Sequence, residues 1–259
     1  MPGSKRVGLV LQDRDRHLLT ELEVLRILDR ETSKVVAGFQ STRRANDRLL
    51  QLTRAGLLRR FFVGSVAHGR KAMYTLSAKG AEMVAATLGG IKRPVDRLVV
   101  GDRFVEHQAG INQIYLALKY RPILNLGIRI SRWVTFRQPL SEVIKLTPDG
   151  YLELALSESI RAMFLEVDLA TEALSVWQQK ITYYLQLAIS GEFQKRFRHQ
   201  QFRVLVVATS NRRLTGLRTT VAKSTDKIFW FTTFELINRD GFWSPIWLRP
   251  TGDQLHSLL

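Results

Sequence analysis

The hydrophobic pattern of the first third of the chain predicts three helices, a β-hairpin and a closing helix. Apolar residues recur at helical spacing over residues 17–28, and the short segment TSKVVAGF follows with room for one or two turns. The third helix begins after Ser41, a favourable N-cap, and ends at Gly56. Two strand-like runs, LLRRFFV and KAMYTL, then flank a polar tip and lead into SAKGAEMVAATL, a helix.

The third predicted helix has a basic outer face. Its inner stripe is apolar, and its opposite side carries Arg43, Arg44, Asp47, Gln51 and Arg54. Such a face fits the major groove of DNA, where a guanidinium binds guanine O6 and N7 with two hydrogen bonds. Arg70 and Lys71, at the hairpin tip, would contact phosphates. The phrases LTRAGLLRR and YTLSAKG resemble winged-helix DNA-binding domains. We therefore expect a winged helix-turn-helix DNA-binding domain over residues 13–90, with a merely solvated basic face as the alternative.

The remaining two thirds of the chain alternate between helical and strand patterns. An amphipathic helix is followed by three strand-like runs, a strong helix, the apolar strand FRVLVVATS, another helix and the strand KIFWFTTF. The fold class is therefore α+β or α/β, with a mixed sheet flanked by helices over residues 96–259. Helix, three strands, helix and strand is the core order of restriction-endonuclease-like folds.

Charge narrows the range of partners. The net charge is +16, and residues 1–95 hold 18 of the 39 Lys and Arg residues but 8 of the 23 Asp and Glu residues. A strongly basic chain of this kind indicates a polyanionic partner, and DNA is expected before a membrane surface. The chain lacks cysteine and has no long apolar segment. We therefore expect a cytoplasmic protein without a membrane partner, and a homodimer is left open.

Carboxylates collect in the hydrophobic stretch FLEVDLATE and just before the strand that precedes it. If residues 149–156 and 161–168 pair around a turn at 158–159, Asp149 lies opposite Asp168 and Tyr151 lies opposite Glu166. Asp149, Glu166 and Asp168 then share one face of the hairpin. Carboxylates this close repel, and a divalent cation would remove the conflict. Oxygen ligands suit Mg²⁺ or Mn²⁺, which we expect as the cofactor. Pairing of the acids with nearby arginines is the alternative.

The run PDG, FLEVDLATE and WQQKITYYLQL, behind a winged helix, resembles the replication-relaxation family of plasmid and mobile-element proteins over about residues 15–250. The same region is similar to the PD-(D/E)XK nuclease superfamily. This resemblance implies that Asp149 and Glu166 bind the metal and that a lysine positions the attacking water. Asp168 stands where the nuclease pattern has that lysine. Lys180, on the next helix, is the expected substitute, beside Tyr184.

The resemblance implies a DNA-binding protein that acts in replication, relaxation or mobilisation, with Asp149, Glu166 and Lys180 as catalytic residues of metal-dependent DNA cleavage. Because the lysine is displaced from its usual position, a non-catalytic transcriptional or replication regulator with a degenerate nuclease fold is the alternative. A DNA-nicking relaxase ranks below both, since the five histidines are scattered and form no His-x-His pair.

Overall fold

The computed structural model describes residues 9–64, 69–87, 101–120, 128–156 and 159–259. The chain divides into two compact units, Met1–Asn112 and Gln113–Leu259, and the division falls within helix α5 (Asp102–Lys119). The boundary expected between residues 90 and 96 lies outside the described residues. Within the described ranges, every helix is too short or too polar to span a bilayer.

The first unit contains the predicted elements in the predicted order. They are α1 (Asp13–Leu25), α2 (Arg30–Ala37), α3 (Thr42–Arg54), β1 (Leu58–Val63), β2 (Lys71–Leu76) and α4 (Ala78–Thr87). Ser41 caps α3, because its Oγ accepts a hydrogen bond from the Arg44 backbone N–H at 3.3 Å. Strands β1 and β2 pair antiparallel.

Two features hold α1, α3 and α4 in place in the first unit. The Arg48 guanidinium of α3 forms an ion pair with the fully buried Asp15 of α1. Helix α4 approaches the start of the hairpin closely at Gly80, where a Cβ would lie 2.2 Å from the carbonyl oxygen of Leu57. The apolar stripe of α3, formed by Ala45, Leu49 and Leu52, is fully buried, so the polar face of this helix points outward.

The second unit is a five-stranded mixed sheet with helices. Its elements after α5 are β3 (Arg129–Val134), β4 (Gly150–Ala155), β5 (Ile160–Asp168), α6 (Leu174–Ile189), α7 (Glu192–Phe197), β6 (Arg203–Ala208), α8 (Asn211–Ala222), β7 (Phe229–Thr233) and α9 (Phe234–Asp240). The strand order is β3-β4-β5-β6-β7, antiparallel from β3 to β5 and parallel from β5 to β7. The expected mixed sheet flanked by helices is confirmed, while α7 and α9 were not predicted.

The hairpin of β4 and β5 has a different register from the predicted one. Tyr151 pairs with Phe164 and Gly150 with Leu165, so every pairing is shifted by two residues. The predicted pairing of Asp149 with Asp168, and of Tyr151 with Glu166, is wrong, because the residues of β4 pair with β5 two positions earlier than expected. Side chains alternate with a period of two, so a shift of two preserves the face on which each residue lies.

The face of the sheet that carries the acids is also the face that carries the main core. A row across four strands, formed by Tyr151, Phe164, Val204 and Phe229, is fully buried under α6, α7 and α8. Glu166 and Asp168 continue this face toward the carboxyl end of β5. The acids are therefore built into an apolar layer, and each needs a specific partner.

Candidate functional site

The candidate site lies at the carboxyl end of β5, beside the start of β4. Glu166 is fully buried, with 0% of its surface exposed. Asp149 stands one residue before β4, and its Oδ2 accepts a hydrogen bond from the Val167 backbone N–H at 2.7 Å. The two carboxylates are close enough for the charge of Asp149 to act on Glu166. Of the predicted acids, these two are brought together.

Helix α6 supplies both hydrogen-bond donors to Glu166. Lys180 Nζ lies 3.0 Å from Glu166 Oε2, and the Tyr184 hydroxyl donates to Glu166 Oε1 at 2.6 Å. These residues are four apart and so share one side of the helix. The inner stripe of α6 is Trp177, Ile181, Tyr184 and Leu187. Lys180 lies at the edge of this stripe, with 18% of its side chain exposed.

The charges of this site are strongly coupled. Burial raises the pKa of Glu166, the Lys180 ammonium lowers it, and Asp149 raises it again, which leaves it at about 7. Burial acts to lower the pKa of Lys180, but Glu166, Asp149 and Glu172 together raise it above its ordinary value. Burial and Glu166 raise the pKa of Tyr184, which therefore stays protonated as a donor. The site thus holds a lysine cation beside carboxylates that compete for it.

Glu172 is a member of the site that the sequence did not reveal. It precedes helix α6, which begins at Leu174, and its Oε2 lies 2.9 Å from Lys180 Nζ. The chain turns sharply before it, with Ala170 at φ +60°. Lys180 therefore bridges the buried Glu166 and the half-exposed Glu172.

Asp168 does not take part in this arrangement. Arg213 Nε and Nη2 donate to its two oxygens at 2.7 and 2.8 Å, the Trp177 indole N–H donates to Oδ2 at 2.7 Å, and the Ala170 backbone N–H donates to Oδ1 at 2.8 Å. Burial raises the pKa of Asp168, yet these donors more than offset it and hold the pKa below its ordinary value. Arg213 is therefore the structural partner of Asp168, which we remove from the expected metal ligands.

The remaining pair of acids fits a hard divalent cation. Among the described residues, no group of three or more His, Asp or Glu side chains is arranged to hold a metal ion, so the expected three-carboxylate set is not formed. Mg²⁺, however, commonly binds through one or two carboxylates together with phosphate oxygens and water. Asp149 and Glu166 offer only oxygen ligands, and their mutual repulsion is the feature that a cation would relieve.

In the first unit, the predicted DNA-binding face of α3 is exposed. All five predicted residues of α3 point to the surface: Arg43, Arg44, Asp47, Gln51 and Arg54. Arg43 and Asp47 approach only to 3.9 Å, while the Gln51 side-chain oxygen accepts a hydrogen bond from Arg48 at 2.8 Å. The guanidinium of Arg44 has no partner among the described residues. This face is therefore available to a ligand.

The two predicted hairpin-tip residues differ in their surroundings. Arg70 is exposed, whereas Lys71 Nζ forms an ion pair with Asp29, the N-cap of α2. Between α3 and the hairpin lies an open cavity of about 580 Å³, lined by both residues and by Arg30 and Arg60. The basic surface thus extends from α3 to the hairpin, but Lys71 is partly neutralised.

Comparison with known proteins gives one family match. The model of the Replication-relaxation family matches residues 14–201. No curated protein matches the chain. Among solved structures, the restriction endonuclease FokI aligns with a TM-score of 0.29 and 14% identity, over 84% of this chain and 42% of that chain. The chain therefore spans less than half of that protein, and a likeness this weak carries no argument about the fold or its chemistry.

Proposed function

Because the chain belongs to the Replication-relaxation family, we propose that it is a DNA-binding protein that acts in the replication, relaxation or mobilisation of plasmid or other mobile DNA. We further propose that its second unit cleaves a DNA strand with the help of a divalent cation. The observation that carries this second step is the convergence of Asp149, Glu166 and Lys180 from two strands and a helix.

The first unit is the proposed DNA reader. Three helices, a hairpin and a fourth helix in this order suit a winged helix-turn-helix, in which α3 enters the major groove and the hairpin is the wing. The exposed Arg43 and Arg44 support base or phosphate contacts. The +16 net charge supports a large electrostatic contribution to binding.

The second unit supplies the proposed chemistry. Asp149 and Glu166 would hold Mg²⁺ or Mn²⁺, which when bound stabilises developing phosphoryl charge and makes water more acidic. Tyr184 fixes the orientation of Glu166 through its 2.6 Å hydrogen bond. Lys180 keeps its positive charge because Glu166, Asp149 and Glu172 raise its pKa. Its ammonium group can therefore donate to a phosphate oxygen or to the attacking water.

DNA binding is tested by salt-dependent affinity for duplex DNA. The logarithm of the affinity should fall linearly with the logarithm of salt concentration, because phosphate contacts release counterions. Arg43→Ala with Arg44→Ala should weaken binding and reduce the slope by up to about 2. Arg16→Ala, at an exposed arginine of α1, is the control for loss of charge alone. If the double variant binds like the wild type, α3 is not the reading helix.

Cleavage is tested with Mg²⁺ or Mn²⁺ on single-stranded, duplex and branched DNA. Asp149→Asn and Glu166→Gln should abolish nicking, while Lys180→Gln should slow it and leave cation binding nearly intact. Glu153→Gln is the matched control, because Glu153 is a buried glutamate of β4, bonded to Tyr151 and Arg132 instead. Equal loss in the control would point to folding defects. Activity that survives Glu166→Gln would remove this site from the chemistry.

A regulator without catalytic activity is the second candidate function. This function is favoured by the ion pair of Asp168 with Arg213. Asp168 stands where the nuclease pattern has its lysine, and here its carboxylate stabilises the fold instead. In that case Mn²⁺ would neither raise the melting temperature nor support cleavage, while duplex binding through α3 would remain.

A further inference from the structure

A group of arginines surrounds Trp230 on the other face of the second unit's sheet. Arg161 is the second residue of β5, Arg203 begins β6, and Trp230 is the second residue of β7. Because side chains alternate along a strand, these three residues lie on the sheet face opposite to that of Glu166. They lie near the starts of their strands, whereas Glu166 lies near the end of β5. Arg249 joins them from the C-terminal segment. We call these three arginines and Trp230 the arginine cluster.

The cluster brings like charges together at a cost. The guanidinium carbons of Arg203 and Arg249 lie 4.6 and 4.7 Å from the centre of the Trp230 ring. Burial, together with the charges of Arg161 and Arg249, lowers the pKa of Arg203 to about 10. Arginines this close together are stable where a bound anion offsets their repulsion or where packing requires them.

Within the described residues the protein places no carboxylate in direct contact with these arginines, although the charge of Asp226 acts on Arg249 from a greater distance. Arg161 and Arg203 both donate to the main-chain oxygen of Leu258, and Arg249 donates to that of Asp226 at 2.7 Å. None of the three arginines is ion-paired with a carboxylate in the described part of the chain.

Other buried arginines of this chain behave differently. Arg48 is matched by Asp15, and Arg213 is matched by Asp168. The Trp230 indole N–H is also buried without an acceptor. Three positive charges therefore lie together without a directly paired carboxylate among the described residues, beside an indole N–H that has no acceptor.

We propose that Arg161, Arg203 and Arg249 form a binding site for a phosphate group, separate from the acid site. Guanidinium forks match the geometry of phosphate oxygens and bind them with two hydrogen bonds each. A phosphate offers more oxygens and up to one more charge than a carboxylate, and so suits three arginines better. The five residues from Arg161 to Glu166 along β5 separate the two sites by about 17 Å.

The first experiment measures the melting temperature of the full chain with inorganic phosphate, at an ionic strength held constant with chloride. Millimolar phosphate should raise the melting temperature by about 2–4 °C, because a ligand that binds the native state stabilises it. The shift should be lost in Arg161→Gln with Arg249→Gln. Arg203 is left in place, because its stacking on Trp230 contributes to packing. Arg212→Gln, an exposed arginine of α8, is the control and should keep the shift.

The second experiment identifies the source of the phosphate by measuring duplex DNA affinity against salt for the same variants. If the double variant loses affinity and its salt slope falls by about 2, the cluster binds the DNA backbone. If DNA binding is unchanged while the phosphate shift is lost, the cluster takes a free phosphate or a nucleotide. No phosphate shift in the wild type would overturn the proposal, and the arginines would serve only to hold the C-terminal segment. Loss of the shift in the Arg212→Gln control would overturn it as well.

Discussion

Replacement of Asp168 by asparagine tests whether this carboxylate is a structural ion-pair partner. In Asp168→Asn, Arg213 loses an ionised partner that now accepts from it at 2.7 and 2.8 Å. In either orientation the new amide places N–H donors against the Arg213 guanidinium, and also against the Trp177 indole N–H or the Ala170 backbone N–H. The oxygen that remains can satisfy only part of this arrangement.

The expected loss follows from burial. Removing one partner of a buried ion pair costs about 3–5 kcal/mol. Arg213 keeps 16% of its side chain exposed, while the Asp168 side chain is only 1% exposed. Asparagine also retains one acceptor, so the lower end of that range, about 3 kcal/mol, is expected. For a unit of this size, that corresponds to a fall in melting temperature of about 6–12 °C.

Urea unfolding followed by tryptophan fluorescence is the appropriate assay. All five tryptophans lie within Gln113–Leu259, so their fluorescence reports on the second unit alone. Asp253→Asn is the matched control, because Asp253 pairs with Arg218 at 3.3 Å but is 95% exposed. It should cost less than about 1 kcal/mol.

The pH dependence has a definite sign. Because the pKa of Asp168 is held below its ordinary value, its stabilisation is present at neutral pH. It should shrink as the pH falls below about 4 and through the lowered pKa, so that wild type and variant converge in acid. If Asp168→Asn is as mild as Asp253→Asn, or stabilising, Asp168 is not neutralised by Arg213 and returns to the possible metal ligands.

Two further predictions concern Glu166. Its pKa of about 7 means that protons compete with a cation below neutrality, so Mn²⁺ should raise the melting temperature more at pH 8 than at pH 6; equal increments at both pH values would contradict a role for Glu166 in cation binding. Tyr184→Phe removes the hydroxyl that lowers the pKa of Glu166, so it should raise that pKa further, as measured by carboxyl NMR titration, and cost about 1–3 kcal/mol of stability. Tyr183→Phe should change neither quantity, because among the described residues the Tyr183 hydroxyl has one hydrogen bond, which it accepts from Gln179 at 3.4 Å.

The sequence predicts the elements of the first unit well because their signals are local. Helix α3 combines a clear apolar period with a serine cap, and both lie within a few residues of the positions they determine. In the second unit, α7 and α9 have six and seven residues. Such helices are too short to show a helical period, which explains why the sequence did not reveal them.

The candidate site was predictable only to the extent that strand alternation controls it. The assumed register was wrong by two residues, yet Glu166 remained on the predicted face because alternation has a period of two. The residues that pair with the acids could not be predicted from the sequence. Arg213 lies 45 residues after Asp168, and only the parallel pairing of β5 with β6 and the packing of α8 bring them together. The pattern of charges along a sequence cannot distinguish a carboxylate that binds a metal cation from one that is already paired with an arginine.

The bridging position of Lys180 between Glu166 and Glu172 has a consequence for how this site can evolve. When Glu166 is lost, the ammonium still has Glu172 at 2.9 Å, and when Glu172 is lost it still has Glu166 at 3.0 Å. Each acid therefore buffers the effect of losing the other, and the effects of losing both are not additive. Loss of the buried acid therefore leaves the mostly buried ammonium paired, although the Tyr184 hydroxyl loses its acceptor. Under the proposed cleavage function, a change at Glu166 would remove a cation ligand while Lys180 stays paired, so a binding protein could descend from an enzyme through folded intermediates.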